Sequence, residues 1–154
     1  MVSAPMQRAL ELARNAPAPT SPNPTVGAAI VVGGEVVAEG VTEPPPGRHA
    51  EVVALMAAGG QARGATMYVT LEPCNHEGRT PPCTRAIIDA GIAEVRYAVA
   101  DPDRKVDGGG HVALEAAGVR VVSGDGREEA RLVNEAFFKH RETGLPFVIA
   151  KFAA

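Results

Sequence analysis

Hydrophobic and polar positions along this chain switch repeatedly between helical and strand spacing. Ser3–Ala16 has the helical pattern. Met6, Ala9, Leu10 and Ala13 share one face, Pro5 suits an opening turn, and Ser3 stands where an N-cap belongs. The Pro-rich stretch APAPTSPNPT interrupts it. Val26–Val32 is a continuous apolar run, Gly33-Gly34 supplies a two-residue hairpin turn, and Glu35–Val41 is the returning strand. Glu43–Arg48 contains three consecutive prolines, which fix φ and remove donors, so EPPPGR is a loop that delivers the chain to His49. His49–Ala58 predicts a buried helix with Val52, Val53, Leu55 and Met56 as its core residues, stopped by Gly59-Gly60. Ala65–Leu71 predicts a central strand. Thr80-Pro81-Pro82 opens the next helix, with Thr80 as cap, Cys83 in the first turn, Ile87 and Ile88 packing, and Gly91 as its end. Glu94–Ala100 reads as a strand, His111–Ala117 as a helix, Val119–Val122 as a strand, and Arg127–Arg141 as one long helix with Ala130, Leu132, Val133, Ala136 and Phe137 facing inward.

Helices between consecutive strands imply parallel pairing through crossovers. The pattern therefore predicts an α/β fold: a three-layer α/β/α domain with a mixed sheet of about five strands, one antiparallel hairpin on an otherwise parallel sheet, and helices on both faces. A length of 154 residues suits one domain with a substantial core. A net charge of −3 with interspersed signs, no Trp, two Tyr and four Phe argue against a nucleic-acid partner, which would favour a basic face and stacking platforms. The opening MVSAPMQRALELA lacks the basic-then-apolar layout of a signal peptide, and no apolar run is long enough to span a membrane. The expectation is a soluble, cytoplasmic protein.

The chemistry concentrates in two short stretches. Both cysteines of the chain, Cys74 and Cys83, lie in PCNHEGRTPPC, and upstream stands His49-Ala50-Glu51. One His, two thiolates and a Glu that is not a ligand are the parts of an open catalytic zinc site, in which three protein ligands leave a fourth position for water. In mid-helix, His49 and Glu51 would point about 200° apart, but in the first turn both can reach a metal beyond the helix end. Cys83 in its own first turn gains from the same positive helix terminus, which favours thiolate. A disulfide fits a reducing setting poorly. A structural zinc with His76 as fourth ligand is the stronger alternative.

The combination of H-x-E with P-C…C is the signature of zinc nucleobase deaminases, although eight residues separate the cysteines here where the common form has two. More specifically, SPNPTVG (Ser21–Gly27), HAEVVAL (His49–Leu55), YVTLEPCNHEGRTPPCT (Tyr68–Thr84) and ADP (Ala100–Pro102) closely resemble the pyrimidine deaminases of riboflavin biosynthesis, the RibD/RibG type. That resemblance implies the cytidine-deaminase fold, with His49, Cys74 and Cys83 holding Zn2+ and Glu51 as general acid and base. It also implies hydrolysis of diaminohydroxyphosphoribosylaminopyrimidine, a small phosphoribosyl pyrimidine, to the aminouracil phosphate and ammonia. Asn23 resembles the residue through which such deaminases grip the substrate. The inter-cysteine loop offers His76, Arg79 and Thr80 to the phosphate. Gly108-Gly109-Gly110 reads as a flexible turn, and His111 and His140 as solvated helix residues.

Two departures fall on the substrate side of the pattern. Thr42 stands where the family commonly has His, and Asp103 stands in what is often DPNP, an acidic group unhelpful to a phosphate unless Arg104 or Lys105 offsets it. The domain expected is 1–144. Leu145–Ala154 is an apolar, strand-like tail resembling the lead into a reductase domain absent from this chain, which implies a homo-oligomer or association with a reductase. Alternatives are a deaminase of the same fold acting on another pyrimidine or a purine, and a non-catalytic zinc-stabilised module that binds a reductase.

Overall fold

The computed structural model describes residues 1–77, 81–103 and 109–152. The chain runs α1 (Ala4–Arg14), β1 (Gly27–Val32), β2 (Glu35–Val41), α2 (Ala50–Ala58), a 3-10 turn (Gly59–Ala62), β3 (Thr66–Leu71), α3 (Cys83–Ala90), β4 (Glu94–Val99), α4 (Gly109–Ala116), β5 (Arg120–Ser123), α5 (Arg127–Val133) and α6 (Glu135–Thr143). The strands form one sheet in the order β2-β1-β3-β4-β5. β1 pairs antiparallel with both β2 and β3, whereas β3–β4 and β4–β5 are parallel. α1 and α5 pack on one face, and α2, α3 and α4 on the other. This is the three-layer mixed-sheet domain that the sequence pattern predicts, except that β1 runs antiparallel to β3 as well as to β2, so parallel pairing is confined to β3, β4 and β5. Gly33 and Gly34 both have positive φ, 58° and 88°, as a two-residue hairpin turn requires.

The core is built around small residues on β1 and larger ones on the central strands. Ala28, Ala29, Ile30, Met67, Val69 and Val95 are all fully buried. Two glycines let helices approach closely enough to set the site. A Cβ on Gly40 of β2 would lie 2.2 Å from the Ala50 carbonyl oxygen, so α2 begins directly against the strand. A Cβ on Gly110 would lie 1.9 Å from the carbonyl oxygen of Pro73, so α4 begins directly against the segment leading to Cys74.

Several local expectations are corrected. α2 buries Ala50, Glu51, Ala54 and Ala58, while Met56 is 63% exposed. The contact at Gly40 admits only alanine-sized side chains, and a helix apolar nearly all round gives no phase to read. The predicted helix 127–141 is two helices. Asn134 breaks it with φ −114° and ψ 30°. Its buried amide accepts a hydrogen bond from Thr25 N–H at 2.7 Å and donates to Thr25 C=O at 2.8 Å. The phase shifts with the break: Ala130 and Phe138 are buried, while Leu132 and Ala136 are exposed. Ser3 stands at the N-cap of α1, but its hydroxyl binds Asp125 instead of the helix. His111 is only partly solvated, since its Nδ1 lies 2.9 Å from Tyr97 Oη. Thr80, expected to cap α3, lies outside the described residues, and Pro82 occupies the N-cap position. The apolar tail forms no strand over 145–152, and Val148, Ile149 and Phe152 are exposed. Among the described residues, no helix is long and apolar enough to cross a membrane.

Candidate active site

Two helix starts and one strand end converge on a single point. His49 is the N-cap residue of α2, Cys83 is the first residue of α3, and Cys74 lies three residues beyond the end of β3. His49 Nδ1 lies 3.2 Å from Cys83 Sγ and 3.7 Å from Cys74 Sγ, and the three ligating atoms all fall within 4.8 Å of one another. Tetrahedral zinc with Zn–S near 2.3 Å and Zn–N near 2.0 Å places the atoms of one His and two Cys ligands about 3.5–3.8 Å apart. The observed spacing lies close to that geometry. The loop is drawn closed by its own backbone: Cys83 N–H donates to Cys74 Sγ at 3.3 Å, and Thr84 N–H donates to Cys74 C=O at 3.2 Å.

The two thiols share one negative charge. Cys74 is drawn down to about 4, chiefly by the hydrogen bond from Cys83, and Cys83 is pushed up by the same contact. His49 is raised by its hydrogen bond to Cys74. A soft cation is the natural partner for such a set, and its binding would displace the shared proton. Cys74 and Cys83 are both free, with no disulfide between them. His76 lines the cavity above the cluster but is not among the ligating residues, so the described residues supply three ligands and no fourth.

Glu51 lies in the first turn of α2, on the face that meets the sheet, and is 4% exposed. Burial raises its carboxyl to about 7, with Cys74 adding to the shift. A glutamate able to take and return a proton near neutral pH thus faces a cavity of about 180 Å³ with the metal cluster at its floor.

The cavity wall comes from four separate parts of the chain. Asn23 sits in a turn closed by its N–H to Thr20 C=O at 2.9 Å, and Asn134 anchors that turn through Thr25. Thr42 is buried, and its hydroxyl accepts from Val26 N–H at 3.0 Å. Asp101, whose carboxyl burial raises to about 6, and Asp103 line another side. Phe137 and Arg141 of α6 complete the rim. Arg79 and Thr80 lie outside the described residues, as do Arg104, Lys105 and Gly108.

Sequence reasoning gave no site role to Glu72 or Arg141, and reached Asp101 only as part of the ADP motif and Phe137 only as a helix residue facing inward. Glu72, 2% exposed, accepts hydrogen bonds at Oε1 from Gly110 N–H (3.1 Å) and His111 N–H (3.2 Å), and at Oε2 from Asp101 N–H (3.4 Å). The start of α4 therefore holds a carboxylate of the protein itself, and through it fixes the segment before Cys74 to the Asp101 loop. A Glu at the end of an apolar strand was the available signal. Phe137 was legible only as an inward-facing helix residue, and Arg141, in the last turn of the polar α6, carried no signal.

A His/Cys/Cys cluster with a buried, non-ligating glutamate beside it, at the edge of a three-layer mixed sheet, defines a zinc-binding deaminase. Residues 2–99 match the family model described as the cytidine and deoxycytidylate deaminase zinc-binding region. The chain is 48% identical to riboflavin biosynthesis protein RibD of Escherichia coli (strain K12) over 97% of its own length. It spans about two-fifths of that protein, 41%. It is also 45% identical to the diaminohydroxyphosphoribosylamino-pyrimidine deaminase of Buchnera aphidicola (subsp. Acyrthosiphon pisum), covering 92% of this chain and 96% of that one. Among solved structures, RibD of Acinetobacter baumannii superimposes with a TM-score of 0.89 at 45% identity, over 92% of this chain and 40% of that one. The chain belongs to the cytidine and deoxycytidylate deaminase family and, within it, to the pyrimidine deaminases of riboflavin biosynthesis.

Proposed function

We propose that the chain hydrolyses the ring amine of diaminohydroxyphosphoribosylaminopyrimidine, consuming water and giving the aminouracil phosphate and ammonia. The observation that carries this reading is the buried Glu51 beside the His49–Cys74–Cys83 cluster, in a chain that matches almost all of a relative named for that deaminase. Zinc, when bound, supplies the Lewis acidity that makes hydroxide available at neutral pH. Glu51 takes the proton that the attacking water loses and returns it to the ring nitrogen; a second proton passes by the same carboxylate to the departing amine. Burial favours the protonated form of Glu51, the form that hands the proton back to the substrate. Burial of Glu51 at the cavity floor keeps bulk water from competing for the proton.

Asn23 and His76 are assigned to substrate contacts on the strength of their place in the cavity wall, and Arg79 and Thr80 to the phosphate by the family resemblance alone. Residues 1–144 form the deaminase domain of this reading, and 145–154 lead toward a reductase domain. The share of RibD relatives that the chain spans and the exposed apolar side chains of the tail support that arrangement. A cytoplasmic setting suits a site that depends on two free thiols.

Ammonia release tests the reading directly. Zinc-loaded protein is offered the phosphoribosyl diaminopyrimidine, its dephosphorylated form, cytidine and guanine. Release confined to the phosphorylated pyrimidine is expected. Preference for cytidine or guanine would move the chain out of riboflavin synthesis, and no release from any of them with zinc bound would leave a structural zinc module.

A further inference from the structure

The wall of the cavity above the metal cluster is acidic. Glu51, Glu72, Asp101 and Asp103 all contribute to it, and among the described residues Arg141 is the one Lys or Arg that does. A phosphate-bearing ligand would meet repulsion from those carboxylates, and among the described lining residues Arg141 is the cation placed to offset it, beside whatever Arg79 contributes from the inter-cysteine loop. Arg141 reaches the rim from α6. Its Nη1 lies 3.5 Å from Asp103 Oδ2, and its guanidinium lies over the Phe137 ring at 5.4 Å from the centroid. The pair is partly open to solvent, with side-chain exposures of 42% for Arg141 and 25% for Asp103, so the ion pair itself contributes little to stability. Five N–H donors in a planar fork allow the guanidinium to keep Asp103 on one edge while offering another edge to an anion.

A second cavity of about 520 Å³ points the same way. It shares Asn23, Phe137 and Arg141 with the first, its lining carries no carboxylate among the described residues, and His140 adds a further nitrogen donor beside Arg141. A ligand whose base lies over the metal cluster and whose arm passes Arg141 therefore leaves an acidic wall for a carboxylate-free one.

We propose that Arg141 is a specificity-determining residue that receives the anionic arm of the substrate, with Asp103 and Phe137 holding its guanidinium at the cavity rim. This rests on the deaminase reading above and deepens it. It also explains how Asp103 is compatible with a phosphorylated substrate: its charge orients the cation instead of facing the phosphate alone. The chain thus replaces a neutral position by an ion pair whose cation comes from an element 38 residues further on.

The test compares KM and kcat of wild type, R141Q and R141K on the phosphoribosyl diaminopyrimidine and on its dephosphorylated form. Wild type is expected to prefer the phosphorylated compound. R141Q should raise KM for that compound about 10- to 100-fold more than for the other, as loss of a charge-assisted hydrogen bond implies, with kcat much less affected. R141K, which keeps the charge without the fork, should recover part of the preference. Calorimetry with ribose 5-phosphate gives a readout independent of turnover, and its affinity should fall by a similar factor in R141Q. If wild type discriminates and R141Q discriminates equally well, or if R141Q weakens both compounds alike, the assignment of Arg141 is overturned while the deaminase reading stands. If wild type turns over neither compound, the deaminase reading fails and this assignment with it.

Discussion

The floor and the rim of the cavity are built on opposite principles. At the floor, His49, Cys74 and Cys83 come from two short motifs, each tied to a helix start or a strand end, and their ligating atoms meet within 4.8 Å. At the rim, Asn23, Asp103, Phe137 and Arg141 come from loops and from the last helix, are tied across the sequence through Thr25–Asn134 and Asp103–Arg141, and include a partly exposed ion pair. Chemistry common to a family can be concentrated in local motifs, because bond geometry leaves it little freedom. Contacts with the variable part of a ligand can be assembled from anywhere that the fold brings close.

Disrupting the floor should have the largest consequence. C83A should lose stoichiometric zinc, measured by metal analysis after dialysis, and with it all ammonia release, because two remaining ligands cannot hold a catalytic metal. E51Q sharpens the contrast within the floor: zinc content and melting temperature should stay near wild type while kcat falls by about 10²–10⁴-fold. An E51Q protein with unimpaired turnover would remove the glutamate from the mechanism. Between floor and rim stands Glu72. E72A leaves the buried N–H groups of Gly110 and His111 without their acceptor and should cost about 3 kcal/mol in denaturant unfolding, with zinc affinity falling as the segment before Cys74 loosens. E72Q, which keeps an acceptor oxygen, should cost less.

On the rim, N134A removes both amide bonds to Thr25 and should destabilise by about 2 kcal/mol. It should also raise KM, because the turn carrying Asn23 loses its anchor. The smallest effect concerns Asp101. Its carboxyl is raised by burial to about 6, above the ordinary value of 3.8, so the folded state holds this proton more tightly than the unfolded chain. Its contribution to stability is complete below about pH 4 and is lost as pH rises to about 6. D101N keeps the oxygen that accepts from Asp103 N–H. It should therefore match wild type near pH 4 and exceed it by on the order of 1 kcal/mol above pH 6, after allowing for partial exposure. Urea unfolding at both pH values checks the sign.

The legibility of the elements follows the same division. β1, β2 and β3 are found where apolar runs and the Gly33-Gly34 turn place them, to within a residue at their starts. α2 is found too, but not its orientation, since Val52, Val53, Leu55 and Met56 look more like core than the alanines that pack against Gly40. The helix at 127–141 is split by Asn134, a residue with no breaking signal of its own, because its amide replaces two backbone partners of a loop more than 100 residues away. His111 looks solvated until β4 supplies Tyr97.

By itself, the sequence determined the order of the strands and of the first four helices, the parallel half of the sheet, and the presence of a His/Cys/Cys set with a nearby glutamate. These rest on local periodicity and on residue types with few other uses. Only the tertiary structure decided which helix faces are buried, that Glu72 ties α4 to the metal segment, and that Arg141 stands over Phe137 against Asp103. Those contacts depend on close approach between distant segments, where one glycine or one amide sets the distance, and a linear pattern carries no measure of that distance.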